Sequence, residues 1–304
     1  MKLLVATDFS QRSDHALERA VMLAQQLSAD LLIAHVVDDD RLEHVVEADK
    51  VRAETFLKVI ASKLDLPSGR CEWQVARGEA FDGILRLCED EAPSLVVLGA
   101  HRRRILRDVF IGTTAERVLR SAKLPVLMVN TKPEGPYRRI LLAVDFDAGS
   151  TAALRTVLTL GISRGLVMTA LHAFDAPARG LMMRTPAPRS EIEGYVAQER
   201  RRAMTKLTAY LQLHSEEPIT AGVDIVEIST ASAIRDYSHR TDSDLIVMGT
   251  RGRSGLDRVF LGSVADEVLR RSDVDVLAVP PADGMVSNTV PRTPDAEPGH
   301  RLHD

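Results

Sequence analysis

The chain has 304 residues, 45% of them hydrophobic but only 4% aromatic, and a formal net charge of -4 with a pI near 6.2. This length predicts two domains, with cores built from aliphatic side chains. A slightly acidic chain is not typical of a general nucleic-acid binder, so no nucleic-acid partner is expected. No apolar run approaches the roughly 18 residues that a membrane span needs.

The N-terminus and the cysteines indicate the compartment. The first residues turn polar too soon for a signal peptide. Cys71 and Cys88 are the two cysteines of the chain, and their spacing matches no metal or redox motif. A reduced, cytoplasmic setting without membrane contact is therefore the expectation.

The same succession of short motifs occurs twice along the chain. The offset between the copies is 137 from Asp8 to Asp145 (145 − 8) and 150 from Gly99 to Gly249 (249 − 99). About thirteen residues are therefore inserted in the second copy, and we assign them to the Pro- and Arg-rich stretch 176–189 as a surface loop. The recurring segments are 3–9 and 140–146, 34–36 and 171–173, 95–99 and 245–249, 108–113 and 258–263, and 124–129 and 274–279.

Within each copy, short apolar runs alternate with longer stretches of helical periodicity. Such alternation predicts an α/β fold with parallel, doubly wound sheets, five strands in each of two tandem domains. The domains are predicted at 1–131 and 138–281, joined by a short Pro/Gly linker and followed by a disordered polar tail at 282–304. In the first copy the strands are predicted at about 3–7, 31–37, 72–76, 94–99 and 125–130, and the helices around 17–27, 53–64, 80–90 and from 112 onward.

Polar residues and glycines recur where three of the predicted strands end. In the second copy these are Asp145, His172 and Gly249. Parallel sheets bind ligands beyond the carboxyl ends of their strands, so this edge is the expected site. The histidines are interpreted as polar strand-end residues rather than as catalytic groups.

Residues 244–264 carry the most specific motif of the chain. An apolar strand ends at Gly249, Gly252 follows, and Gly262-Ser263 begin the next helix. Glycines allow a phosphate chain to approach the backbone, and the free N–H groups of a helix N-terminus favour anions. The alternative is a plain strand-to-helix loop in which Ser263 is the N-cap, assisted by Asp266.

This spacing, G-x2-G-x9-G-S, resembles the nucleotide-binding signature of the universal stress protein family, and the resemblance extends over nearly the whole chain up to about residue 281. It implies a Rossmann-like, adenine nucleotide alpha hydrolase-like fold that binds ATP. It also implies that the two fifth strands pair within the chain as a pseudo-dimer. The binding residues that it implies are Ala143, Val144, Asp145, Ala173, Met248, Gly249, Arg251, Gly252, Gly262, Ser263 and Val264.

Three of these residues have simpler interpretations that the sequence leaves open. Asp145 can cap the following helix or turn. Met248 can serve packing alone. Arg251 can be an ordinary solvated loop residue, although its charge would suit a phosphate.

The first copy departs from the pattern at one position. Arg102 occupies the place of Gly252, within a basic loop that also contains His101, Arg103, Arg104 and Arg107. An arginine is poorly suited to a position that needs positive φ or space for phosphate. We therefore expect one ATP per chain, in the second copy. The competing interpretation is that Arg102 grips the phosphates and both copies bind. Thr113 and Glu116 still form a capping box.

Motifs of established enzyme classes are missing from the sequence. There is no Gly-x4-Gly-Lys-Ser/Thr loop, no suitably spaced pair of catalytic carboxylates and no nucleophile elbow. The leading interpretation is a nucleotide-binding regulator of a stress response or of signalling, acting on an unidentified protein partner. The alternatives are a slow ATP hydrolase, with Mg²⁺ held mainly by phosphates and water, and a nucleotide-free interaction module. Dimerisation of tandem chains is left open.

Overall fold

The computed structural model describes residues 1–100, 114–184, 188–250 and 261–281. Within these ranges strands and helices alternate along the chain. The strands are β1 (Lys2–Ala6), β2 (Asp30–Val37), β3 (Cys71–Arg77), β4 (Leu95–Gly99), β5 (Val126–Val129), β6 (Arg139–Ala143), β7 (Val167–Phe174), β8 (Thr220–Ile225), β9 (Leu245–Gly249) and β10 (Asp275–Val279). The helices are α1 (Gln11–Leu27), α2 (Glu43–Lys63), α3 (Ala80–Glu91), α4 (Thr114–Ser121), α5 (Ala148–Leu160), α6 (Pro177–Met182), α7 (Arg189–His214), α8 (Thr230–Arg240) and α9 (Ser263–Arg271).

The strands form one sheet in the order β3-β2-β1-β4-β5-β10-β9-β6-β7-β8. Pairing is parallel within each copy and antiparallel where β5 meets β10, with Leu127 opposite Leu277. The predicted α/β class and the predicted pairing of the two fifth strands are both confirmed. Because the copies run in opposite directions, the carboxyl ends of their strands lie at opposite edges of the sheet.

Helices cover both faces of the sheet, as the continuous apolar runs of its central strands require. On one face, a single hydrophobic cluster extends through both copies and includes Leu57 of α2, Leu154 of α5 and Leu207 of α7. On the other face each copy has its own cluster, under α3 and α4 or under α8 and α9. Leu269 of α9 packs against both of these clusters and joins them.

The stretch 176–189 is not simply the surface loop expected from its composition. Pro177 begins the short helix α6, at a position where its missing N–H leaves no hydrogen bond unmade. After residues 185–187, which lie outside the described ranges, α7 begins at Arg189 and runs for 26 residues, against 21 for α2. The insertion therefore adds helix on the α7 side of the second copy.

A buried charged network ties the linker to both copies. Asp275 is fully buried and accepts hydrogen bonds from Tyr137 Oη at 2.6 Å and Arg19 Nε at 3.2 Å. Its other oxygen accepts the backbone N–H of Asn130 at 2.9 Å, and Arg19 also donates to the carbonyl of Gly135 at 2.8 Å. The linker thus holds a defined position between the copies. Burial raises the pKa of Asp275, outweighing its hydrogen bonds and Arg19.

Candidate functional site

A half-open cavity of about 200 Å³ lies at the carboxyl edge of the second copy's sheet. It is bounded by the ends of β6, β7 and β9 and by the starts of α5, α8 and α9. Every residue predicted to bind nucleotide lines it, apart from Arg251 and Gly252, which lie outside the described residues. The cavity is lined by Ala143, Val144, Asp145, Asp147, Ser150, Leu171, Ala173, Thr230, Ile234, Met248, Gly249, Thr250, Gly262, Ser263, Val264 and Ala265.

The start of α9 forms one wall of the cavity. The N-cap residue is Gly262, with no side-chain cap, and its own N–H donates to the carbonyl of Thr250 at 2.8 Å. In the part of the chain that the structure describes, the N–H groups of Ser263, Val264 and Ala265 have no protein acceptor. These are the donors that a helix N-terminus leaves free for an anion.

The alternative reading of Ser263 as an N-cap is wrong. Ser263 is the first residue inside α9, so its side chain cannot cap the helix from outside. Asp266 does not reach back to the N-terminus either, since its carboxylate accepts hydrogen bonds from Arg270 at 2.7 and 3.2 Å. The N-terminus of α9 therefore has neither of the expected side-chain caps.

Gly249 ends β9 where the strand lies against α5. A Cβ atom added there would come within 2.7 Å of the backbone carbonyl carbon of Gly149. That distance is too short for any side chain, so the glycine is required by packing between strand and helix as well as by its place at the cavity. The sequence motif alone suggests only the second role.

The turn after β6 positions Asp145 without using its carboxylate as the helix cap. Asp147 is the N-cap of α5 and accepts from both the N–H and the hydroxyl of Ser150 at 2.7 Å. Ser150 Oγ in turn accepts the backbone N–H of Asp145 at 2.9 Å. The interpretation of Asp145 as the cap of α5 is thus wrong, whereas Asp147 and Ser150 are cavity residues that the sequence analysis missed.

Phe146 gives this turn its shape. Its φ of 58° lies in the left-handed region, which costs a residue with a side chain some backbone strain. The ring lies 4.3 Å from the ring of His172, whose Nδ1–H donates to the carbonyl of Val144 at 2.9 Å. The first copy repeats the arrangement with Phe9 and His35. Both histidines brace the turn, in agreement with their interpretation as strand-end residues.

The remaining predicted residues supply mainly apolar surface. Met248 is only 4% exposed and belongs to the cluster under α8 and α9, so it both packs and lines the cavity. Ala143 and Ala173 are small residues at the ends of β6 and β7. These three side chains make part of the cavity wall apolar.

The first copy has a corresponding cavity of about 390 Å³ that differs in composition. Comparison at the repeat offsets shows Arg12 in place of Gly149, Val36 in place of Ala173, and Ala80 in place of Thr230. Burial acts to raise the pKa of Asp8 in this cavity, but hydrogen bonds from Ser10 and Ser13 outweigh it, and the pKa lies below its usual range. The basic residues from His101 to Arg107 and the capping residue Thr113 lie outside the described residues.

Neither a cluster of metal ligands nor a membrane-spanning helix occurs among the described residues. No three histidine, cysteine or acidic side chains there are grouped so as to hold a metal ion. Among the same residues, no helix combines the length and apolar character needed to cross a membrane. Cys71 and Cys88 are free thiols.

Comparison with known proteins identifies the family. The sequence profile of the Universal stress protein family matches residues 1–130 and again residues 136–280. A universal stress protein of Methanocaldococcus jannaschii is 28% identical over 149 residues, covering 48% of this chain and 84% of that protein. The universal stress protein Rv2319c of Mycobacterium tuberculosis is 26% identical over 250 residues, covering 78% of this chain and 80% of that protein.

Solved structures agree on the fold. The crystal structure of a universal stress protein from Archaeoglobus fulgidus superimposes with a TM-score of 0.68, covering 92% of this chain and 98% of that one at 20% identity. At that identity the likeness concerns the architecture alone. Two successive profile matches, together with the α/β fold in each copy, show that the chain is a tandem member of the universal stress protein family.

Proposed function

We propose that this universal stress protein binds ATP in the cavity of its second copy and acts as a nucleotide-dependent regulator of a stress response or of signalling. The observation that carries the proposal is that Ser263, Val264 and Ala265 line the cavity and that their three backbone N–H groups have no acceptor among the described residues. A phosphate group satisfies such donors and is also favoured by the dipole of α9.

The remaining walls suit the rest of a nucleotide. Leu171, Ile234 and Met248 offer an apolar surface for a base, while Asp145 and Thr230 offer polar groups for a sugar. A cavity of about 200 Å³ is smaller than typical enclosed ligand sites, which begin at about 300 Å³. Part of a bound ATP would therefore extend out of the half-open mouth.

A metal would depend on the nucleotide. Since the described residues contain no grouped set of metal ligands, Mg²⁺ would be held mainly by phosphate oxygens and water. Such metal binding suits a nucleotide-binding protein and a slow hydrolase equally, because enzymes that act on nucleotides also hold Mg²⁺ largely through phosphates and water. Steady-state phosphate release by the purified protein, measured with an ADP-removing system, separates the two functions.

The direct test is to look for ATP that co-purifies with the protein. Mass spectrometry of unheated, freshly purified chain is expected to detect ATP, and calorimetric titration of the stripped protein is expected to show binding. If ATP neither co-purifies nor binds to stripped, folded protein, the proposal fails and a nucleotide-free interaction module becomes the better description.

A further inference from the structure

Four charged residues connect the two copies across the pseudo-two-fold axis. In α4 they are Glu116 and Arg120, and in α9 they are Asp266 and Arg270, each residue lying 150 positions from its counterpart (266 − 116 and 270 − 120). The contacts are reciprocal. Arg120 lies 3.8 Å from Asp266, and Arg270 lies 3.6 Å from Glu116, measured between guanidinium nitrogen and carboxylate oxygen.

The two acidic residues of this charge quartet each follow, in the chain, a residue that lines a cavity. Asp266 follows Ala265, which lines the second cavity, and Glu116 follows Ala115, which lines the first. The reciprocal pairing joins the early part of each helix to the later part of the other, so the helices run antiparallel. The backbone of Asp266 is joined to the first turn of α9, whose residues line the second cavity, because its own N–H donates to Gly262 O at 2.9 Å.

Within the quartet, Arg270 contacts two carboxylates at once. Arg270 pairs with Asp266 inside its own helix and with Glu116 across the interface. The side chains of these carboxylates are mostly buried, with Asp266 30% exposed and Glu116 19% exposed. A phosphate at the start of α9 adds negative charge beside Asp266. The electrostatic attraction between this part of α9 and the guanidinium groups of Arg120 and Arg270 therefore increases. One of them, Arg120, belongs to the other copy.

We propose that nucleotide binding in the second copy is coupled to the first cavity through this charge quartet. The inference rests on the proposed ATP site. ATP draws Arg120 toward Asp266, and this contact restrains α4, whose first turn lines the first cavity. Because Leu269 packs against the clusters of both copies, the helices cannot move independently of the shared core.

Hydrogen exchange of the α4 segment, residues 114–121, tests the coupling. ATP at saturation is expected to slow exchange there about fivefold, the lower end of typical coupling between sites. Arg120→Gln is expected to remove this slowing while ATP still binds. Arg117→Gln is the matched control, because Arg117 is in the same helix but pairs with Glu79 of its own copy at 2.7 Å. This variant should behave like the parent.

The outcomes separate the coupling from the ATP site itself. If calorimetry shows binding but α4 exchange stays unchanged in the parent, the coupling is refuted and the ATP site stands. If ATP slows α4 exchange equally in the parent and in Arg120→Gln, the coupling is also refuted, because the charge quartet then does not transmit the effect of ATP. If calorimetry shows no binding to folded protein, the proposed function fails and the coupling fails with it.

Discussion

Leu277 of β10 lies directly opposite Leu127 of β5, and the two are equivalent residues of the two copies, 150 positions apart (277 − 127). A residue that faces its own counterpart marks a local two-fold axis. The neighbouring pairs, Met128 with Val276 and Val126 with Ala278, obey the same relation. The axis therefore passes through the middle of the β5–β10 pair, and it relates the two cavities at opposite edges of the sheet.

Gly262→Asp should abolish ATP binding without unfolding α9. Aspartate is a favourable N-cap, so the new carboxylate would occupy the free N–H groups and stabilise the helix. It would also repel the phosphates, by about 4 kcal/mol at 4 Å with an effective dielectric of about 20, which is roughly a thousandfold in affinity. Calorimetry measures the loss, and Gly262→Ala should keep most of the affinity. Unchanged affinity in Gly262→Asp would show that the site is elsewhere.

Titration of stripped protein should give one ATP per chain. The cavities differ in described residues, with Arg12 and Val36 in the first where the second has Gly149 and Ala173. Gly252→Arg, which recreates the first copy's residue in the second, should remove nearly all binding. Two equivalent sites per chain would support the competing interpretation, in which Arg102 contacts phosphate.

The strand-end glycines should be intolerant of a methyl group. A Cβ at Gly99 would approach the carbonyl oxygen of Arg12 to 2.6 Å, and one at Gly249 would approach Gly149 to 2.7 Å. Gly99→Ala and Gly249→Ala should therefore each lower the free energy of unfolding by about 1–3 kcal/mol in denaturant titrations. Gly99→Ala should change ATP affinity in the second copy little.

Gly194→Ala is the matched control for these two substitutions, and it should raise the free energy of unfolding instead of lowering it. Gly194 lies inside α7, and nothing lies within 4 Å of its added Cβ. Replacing glycine by alanine in a helix typically stabilises by about 0.5–1 kcal/mol. Destabilisation by all three substitutions alike would contradict the packing explanation.

Removing Arg19 should be costly because it would leave Asp275 buried without its cation. Arg19→Met keeps the length of the side chain but not its charge, and breaking a buried ion pair typically costs about 3–5 kcal/mol. The measurement is chemical denaturation near neutral pH. Arg138→Met is a suitable comparison, since Arg138 is largely exposed and lies 3.9 Å from Asp244, and it should cost less than about 1 kcal/mol.

The stability contributed by Asp275 should fall as pH rises through the acid range. Its raised pKa means that the folded chain holds this proton more tightly than the unfolded chain does. The contribution is complete below the ordinary carboxyl pKa, near 4, and declines until the pH passes the raised value. Denaturant titrations at several pH values give the difference in the free energy of unfolding between the parent and Asp275→Asn. A difference that grows in favour of the parent with rising pH would contradict this.

Features encoded by local periodicity could be predicted from the sequence, whereas those that depend on packing could not. The repeat placed the strands because the chain carries the same pattern twice, whereas the β5–β10 pairing was predicted from the resemblance to the universal stress protein family. The roles of Asp147 and Ser150 depend on a turn with a positive φ at Phe146, which no motif announces. Thr230 lines the cavity because α8 packs beside β7, and α6 packs against α7, where Tyr195 Oη accepts the N–H of Ala178 at 3.3 Å.

Joining the fifth strands inside one polypeptide changes how the assembly responds to dilution. Segments connected by a short linker meet at an effective concentration in the millimolar range, whatever the amount of protein in solution. The residues from Asn130 to Tyr137 make this connection and are themselves held by Asp275. Each molecule therefore carries one cavity of each kind in a fixed ratio, and substitutions can accumulate in one copy while the other supplies its half of the shared sheet.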